Sequence, residues 1–243
     1  AFSGCQPYFK YPRILGHELA VEVMAIGEDV HNVRVGDVCS VEPYYNDSDS
    51  QAVRRGKFNC GENLQVLGVH ADGGMREYFI YPSKFLHPSS TLSEDQLVLI
   101  EPLAIGSHAV DRAQIKEQDI VLVIGAGPIG LGAILFAKFS GARILVMDID
   151  DAKLEKCKEI TGIREMILAK GDVISGLKTM LNGDLPTIII DATGDANSMM
   201  NTFNYVAAGG TIVFVGLFNG EVKFDDPNFH KKEITLKASR AAM

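Results

Sequence analysis

The chain has 243 residues, 47% hydrophobic and 22% charged, the proportions of an ordinary soluble globular protein with room for one large domain or two modest ones. Its net charge of −8 disfavours nucleic acid or an anionic membrane surface as a partner. Four scattered cysteines (Cys5, Cys39, Cys60, Cys157) form no C-x-x-C pair and suit a reducing, cytoplasmic setting. No signal peptide is expected from the opening Ala-Phe-Ser-Gly-Cys-Gln-Pro. That opening and the ending Lys237 to Met243 read as the interior of a longer polypeptide.

Residues 1–110 read as β-rich. Val21 to Ile26 alternates and stops at Gly27, Asp37 to Val41 follows a turn at Gly36, and Met75 to Tyr81 follows Gly73-Gly74. Short strands separated by glycine turns predict a small barrel or sandwich. Periodicity turns helical over 93–110, with Leu97, Ile100, Leu103 and Ala104 on one face. From residue 111 to 243 strands and helices alternate. Strands are expected at 120–124, 143–147, 187–191, 211–216 and 233–238, with a weaker one at 165–169. Helices are expected at 128–139, 151–161, 172–181 and 195–207. This is the pattern of an α/β doubly wound parallel sheet, with a domain boundary near 110/111.

Within that pattern Ile120 to Ile124 runs into Gly125, Gly127 and Gly130, a G-x-G-x-x-G spacing that opens an apolar helix. Such a loop turns tightly at its first glycine, lets a pyrophosphate approach at the second, and packs helix on strand at the third. The 18 uncharged residues from 120 to 137 also sit at the lower edge of a membrane-span signal. Four glycines, one proline and the flanking Asp119 and Lys138 argue against a span. Asp148 ends the next expected strand, 21 residues after Gly127, close to the ~20 expected of a ribose-binding carboxylate. It predicts NAD over NADP, because a carboxylate repels a 2′-phosphate and Ile149-Asp150-Asp151 supplies no arginine. The competing reading makes Asp148 a helix cap. The expected cofactor contacts are Gly125, Gly127, Pro128, Ile129, Gly130, Asp148, Gly216 and Leu217. The strand ends Asp191 to Gly194 and Val215 to Leu217 lie at the carboxyl edge.

His17-Glu18 offers two zinc-type donors just before the first alternating strand, although a buried structural His beside a surface Glu is the commoner arrangement. In order along the chain stand Ile14-Leu15-Gly16-His17-Glu18, Gly27, Val30, Gly36-Asp37-Val38 and Gly73-Gly74-Met75-Arg76-Glu77-Tyr78, all ahead of a nucleotide fold. Over its whole length the chain resembles the zinc-dependent medium-chain dehydrogenase/reductase family. It is most similar to the branch of sorbitol, threonine and sugar-acid dehydrogenases. The resemblance implies a GroES-like catalytic domain before the Rossmann domain, and it implies that relatives extend past both ends of this chain. His17 matches the family's zinc-binding His, Glu18 the adjacent Glu, and Glu101 (in Ile100-Glu101-Pro102-Leu103-Ala104) the carboxylate that approaches the zinc. Glu18 and Glu101 would also tune the zinc's bound water or alcohol. The family's Cys ligand and its Ser/Thr and His proton relay fall before Ala1, so the chain alone is expected to bind NADH but turn over poorly. Cys5 reads as an ordinary loop residue, and Val21 stands where the family usually has Gly.

Many relatives carry a structural zinc lobe after Glu42-Pro43-Tyr44. Here its four ligand positions read Asp47, Ser50, Val53 and Gly61, with Cys60 one place off. Structural zinc needs four N or S donors, so none is expected and the loop should be mobile or held by other contacts. The resemblance thus implies one catalytic Zn2+, NAD, a small alcohol or ketone substrate and a homodimer or homotetramer with an edge at 233–238. Arg240 matches a family Arg near the substrate end of the cofactor, or is a surface Arg at a strand end. His70 and His108 read as structural. A second hypothesis is a zinc-free nucleotide-binding module or quinone-reductase-like relative. The His17, Glu18 and Glu101 trio argues against it.

Overall fold

A computed structural model describes residues 8–46 and 49–241. It divides into two units, Ala1–Ala104 with Ala241–Met243, and Ile105–Arg240. In the first unit, glycines and prolines keep the strands short. β1 (Ala20–Glu22), β2 (Val38–Val41) and β5 (Leu86–Pro88) form an antiparallel sheet in the order β1-β2-β5. β3 (Tyr44–Tyr45) and β4 (Gln65–Val66) form a two-stranded ribbon, and between them lie α1 (Gln51–Arg54) and a 3-10 turn at Phe58–Cys60. Val23, Val33 and Cys39 make a small core.

Two expectations in this unit need correction. Alternation over 21–26 gives a strand only to Glu22. Val23 still exchanges backbone bonds with the turn before β2 (Val23 N to Asp37 O, 2.9 Å; Gly36 N to Val23 O, 2.9 Å), and there the pairing stops. Met24 and Ile26 are exposed. The segment 75–81 is not a strand: Met75 N bonds Leu15 O, but no ladder is formed over 77–81 among the described residues, and Ile80 is 100% exposed. An apolar alternation becomes a strand only where a neighbour offers a ladder.

The helical run 93–110 is cut in two. α2 (Glu94–Leu97) starts on a capping box formed by Ser93 and Gln96. α3 (Ile100–Ala113) carries Pro102 in its first turn, where the missing N–H costs nothing; the same proline could not lie inside one continuous helix. α3 crosses from the first unit to the second at Ala104/Ile105.

The second unit is a six-stranded sheet. Its strands are β6 (Ile120–Ile124), β7 (Arg143–Asp148), β8 (Met166–Leu168), β9 (Ile188–Asp191), β10 (Thr211–Phe214) and β11 (Thr235–Ala238). They pair in parallel in the order β11-β10-β9-β6-β7-β8. The order reverses between β6 and β9, which is the switch point where such sheets bind ligands. Helices α4 (Pro128–Ala137), α5 (Asp151–Thr161), α6 (Val173–Met180), α7 (Ala196–Tyr205) and α8 (Asp226–Lys231) alternate with the strands. Strand residues divide by parity: Val121, Val123, Val146 and Ile190 pack with Ala109, Ile134, Leu154 and Cys157 from α3, α4 and α5. Leu122, Ile124, Leu145 and Ile189 pack with Leu177, Met199 and Phe203 from α6 and α7. Both sheet faces are covered, so these strands read as unbroken apolar runs. Among the described residues no helix is long and apolar enough to cross a membrane.

Two predictions follow from close contacts in this unit. A Cβ on Gly106 of α3 would lie 2.5 Å from the backbone N of Ala133 in α4. Gly106→Ala therefore costs stability by ~1–3 kcal/mol through overpacking, outweighing the ~1 kcal/mol gain in helix propensity. Gly176 in α6 has open space around the same position, so Gly176→Ala should raise the unfolding midpoint. Thermal unfolding of the two variants shifts in opposite directions. The second concerns Asp191, fully buried at the end of β9, where it accepts bonds from Thr193 N, Thr193 Oγ1 and Ser198 Oγ. Burial raises its carboxyl above the usual range, while the Ser198 and Thr193 bonds oppose the shift. A raised folded value means its stabilising contribution is full below ~pH 4 and fades as pH rises through the folded value. The stability difference between wild type and Asp191→Asn, from urea unfolding, therefore shrinks as pH rises; a pH-independent difference contradicts the assignment.

Candidate active site

The site residues form two constellations, one in each unit. The first is built on a loop that several glycines let pack backbone to backbone. Gly16 turns the chain at φ +100° just before His17. Gly73 N donates to Ile14 O (2.8 Å), Gly74 N to Gly16 O (3.0 Å) and Met75 N to Leu15 O (3.0 Å). A Cβ on Gly73 would lie 2.3 Å from Gly16 O, and one on Gly68 2.8 Å from Gly16 N. Asp72 finishes the clasp by accepting from Ile14 N (3.2 Å) and Arg13 Nη1 (3.1 Å).

Glu101 enters from the first turn of α3, where the helix dipole favours a carboxylate. The donor atoms of His17, Glu18 and Glu101 all lie within 4.8 Å of one another, with Glu18 exposed, His17 half-buried and Glu101 buried. The Tyr44 hydroxyl, from β3, donates a hydrogen bond to Glu101 Oε1. Burial raises the Glu101 carboxyl above its usual range; the Tyr44 bond and His17 pull it down, and Glu18 pushes it up. Among the described groups that shift it, none is a Lys or Arg. An imidazole and two carboxylates whose donor atoms lie within 4.8 Å of one another fit a divalent cation of the zinc type.

The second constellation lies at the switch point. Gly125 turns the chain at φ +98°, and its N donates to Met147 O (2.8 Å). A Cβ on Gly130 would fall 1.7 Å from Gly125 O, so only glycine lets α4 approach β6 this closely. Around Gly127 the same position is open. The N-termini of α5, α6, α7 and α8 are capped by Asp150, Asp172, Asp195 and Asp225, each accepting a backbone N–H. α4 begins at Gly127 with Pro128 first and no side-chain cap, which leaves its N–H groups for an anion. Asp148 is buried; its Oδ2 accepts from Ala126 N (2.7 Å) and its Oδ1 from Asp150 N (2.9 Å).

Gly125, Gly127, Asp148, Lys153, Thr193 and Tyr205 line a cavity of about 630 Å³. Pro128, Ile129 and Gly130 build its loop without lining it, and neither Gly216 nor Leu217 is among its lining residues. Gly216 serves a packing contact, since its Cβ would meet Gly194 N at 2.1 Å, and Leu217 is exposed. Arg240 is exposed just past β11, and His70 and His108 are half-buried. Asp47 and Cys5 lie outside the described residues. Tyr44, Gly68 and Lys153 are the contributors that sequence reasoning missed. Lys153, five places after Asp148 at the start of α5, had a usable signal; Tyr44 and Gly68 had none, because their importance lies in long-range contacts.

Comparison with known proteins gives a family for each unit. Residues 1–91 match the alcohol dehydrogenase GroES-like domain and residues 128–243 the zinc-binding dehydrogenase domain. The chain is 42% identical over 242 residues to an L-galactonate-5-dehydrogenase of Escherichia coli K12, covering 100% of this chain and 71% of that one. An alcohol dehydrogenase structure (rspB) from Escherichia coli CFT073, in complex with NADH, superposes with a TM-score of 0.88 at 31% identity, covering 96% of this chain and 69% of that one. A structure from Sinorhizobium meliloti 1021, described as a zinc-binding dehydrogenase bound to NADP, gives 0.89 at 26% identity, covering 96% and 70%. The chain belongs to the zinc-type medium-chain dehydrogenase family, as an oxidoreductase with a GroES-like unit followed by a Rossmann unit.

Proposed function

We propose that the protein oxidises a secondary alcohol of a polyol or sugar acid, with NAD as hydride acceptor and a single catalytic zinc. The observation that carries this is the clustering of the His17, Glu18 and Glu101 donor atoms within 4.8 Å of one another, in a chain that also has a cavity at the switch point of a doubly wound sheet. A zinc-free nucleotide-binding module has no use for that trio. Relatives at the level of an L-galactonate-5-dehydrogenase and a sorbitol dehydrogenase support a polyhydroxylated substrate.

His17, Glu18 and Glu101 would hold the metal. Zinc bound there supplies a Lewis acid for the alcohol oxygen, and NAD supplies the acceptor for the carbinol hydride. The chain does the rest. The open Gly127 and the uncapped start of α4 receive the pyrophosphate. An ionised carboxylate has about four acceptor sites. Asp148 uses two on Ala126 and Asp150, which fixes its plane and leaves the others for the ribose 2′- and 3′-hydroxyls. A 2′-phosphate would meet that charge instead, which supports NAD over NADP.

We propose no structural zinc in the loop between β3 and β4. Val53 and Gly61 offer no side-chain donor there. Asn46 Nδ2 bonds Phe58 O (3.1 Å) and occupies the place a Cβ on Gly61 would take, 1.5 Å away, so a side-chain clip closes the loop. The exposed edge strand β11 supports a homodimer or homotetramer.

The zinc reading is checked by metal analysis and by assay of the full-length gene product on a panel of polyols and aldonates. One zinc per chain and zinc-dependent NADH formation are expected, both lost in His17→Ala and neither affected by Cys60→Ser. Turnover that survives zinc removal sinks the reading. The cofactor reading is checked by NADH fluorescence titration. Gly127→Ala, which has room for its methyl, should keep the stability of wild type but lose about tenfold in NADH affinity, ~1.4 kcal/mol. Asp148→Asn should lose tenfold or more and narrow the preference for NADH over NADPH, because a charged acceptor is worth ~1.5–3 kcal/mol. Equal NADH affinity in both variants refutes this placement.

A further inference from the structure

We propose that Tyr44 is a positioning residue of the metal centre: its hydroxyl engages Glu101 Oε1, fixes the carboxylate plane and so presents Oε2 to the ion. The inference rests on the reading that His17, Glu18 and Glu101 hold a metal. A glutamate in the first turn of a helix has three rotatable bonds and two equivalent oxygens. Left alone it can offer one oxygen, chelate with both, or swing away. A hydrogen bond to one oxygen removes that freedom, which is how partners of metal ligands tune affinity and geometry.

Tyr44 is itself held. It is only 7% exposed and pairs with Val66 across the β3–β4 ribbon, and Leu67 N adds a bond to Pro43 O (3.0 Å). Strand alternation sends Tyr45 to the other side, where its ring lies 6.3 Å from Tyr81 and 6.1 Å from Phe85. The ribbon therefore cannot twist to release Tyr44 without breaking an aromatic cluster. Two residues after Val66 comes Gly68, whose backbone abuts Gly16 just before His17. One short ribbon thus supports two of the three donors: Glu101 through the Tyr44 hydroxyl, and His17 through the Gly68–Gly16 contact.

The test uses the full-length gene product and two ions, cobalt(II) for its visible spectrum and zinc for affinity by competition. Tyr44→Phe keeps the ring and removes the hydroxyl. Zinc affinity should fall by ~10–100-fold, and the cobalt absorption band should change shape as Glu101 becomes free to reorient. The metal-free unfolding midpoint should stay close to wild type, which a merely structural role would not allow alongside a changed spectrum. Tyr44 acts through Glu101, so the double variant Tyr44→Phe/Glu101→Gln should bind zinc no more weakly than Glu101→Gln alone. An unchanged affinity and spectrum in Tyr44→Phe, or strictly additive losses in the double variant, overturns the role of Tyr44 and leaves the metal reading standing. A wild-type chain that takes up neither cobalt nor zinc overturns the metal reading, and the proposal with it.

Discussion

Backbone meeting backbone without an intervening side chain is the constraint on which both constellations, one in each unit, depend. In the Rossmann unit Gly130 lies against the carbonyl of Gly125, with 1.7 Å available where any other residue would need a carbon atom. That contact sets how α4 leaves β6, and hence where the helix N-terminus opens. Gly106 lets α3 press on the same helix at Gly132 and Ala133. In the GroES-like unit Gly68 and Gly73 clasp Gly16 in the same way and hold the loop that carries His17. Packing density leaves no slack for adding atoms at such places, so each contact works as a fixed stop for a neighbouring functional group.

The buried carboxylates show what the two units do with charge. Asp148 and Asp191 are both buried at strand ends, and each is met by donors from its own chain: backbone N–H groups for Asp148, hydroxyls and a backbone N–H for Asp191. Glu101 is buried as well, but the Tyr44 hydroxyl is its hydrogen-bond donor and a second carboxylate lies nearby. A buried charge is tolerated only when compensated. Asp191 is satisfied by protein and stays structural, whereas Glu101 and Glu18 retain acceptor capacity that a cation would use. Asp148 falls between them, satisfied enough to stay rigid and with acceptor sites left for hydroxyls.

Much of this was legible in the sequence because it is local. The apolar runs of β6, β7 and β9 and their alternation with helices came through within a residue or two at most ends. Of the G-x-G-x-x-G spacing and Asp148, Gly125, Gly127 and Asp148 line one cavity at the switch point. His17 and Glu18 were readable as adjacent donors, and Glu101 came from a family pattern. What could not be read depends on partners far along the chain. The alternation at 75–81 is real but finds no ladder, and the apolar run at 24–26 outlasts its neighbour. Gly216 is legible as the residue that follows a strand, but its close passage by Gly194 depends on a partner that the local sequence does not reveal. Tyr44 follows Glu42-Pro43 with no local sign that it reaches a residue 57 positions later.

The loop between β3 and β4 is held by side-chain and backbone contacts rather than by a set of four N or S donors. A structural zinc would tie together four points of this loop. Here the Asn46 side chain bonds Phe58 O over Gly61, with Cys60 free beside it. A neutral side-chain bond is far weaker than four metal bonds, so the loop itself should open more easily than a metal-tied lobe. The loop springs from the ribbon that carries Tyr44 and Gly68, yet the ribbon does not depend on the clip. The Tyr44–Val66 pairing, the bond from Leu67 N to Pro43 O and the Tyr45–Tyr81–Phe85 rings hold it on the strand side. The support of Tyr44 and of the Gly68–Gly16 contact is thereby separated from the loop that hangs from the ribbon, so a change in what closes that loop need not disturb the His17, Glu18 and Glu101 cluster.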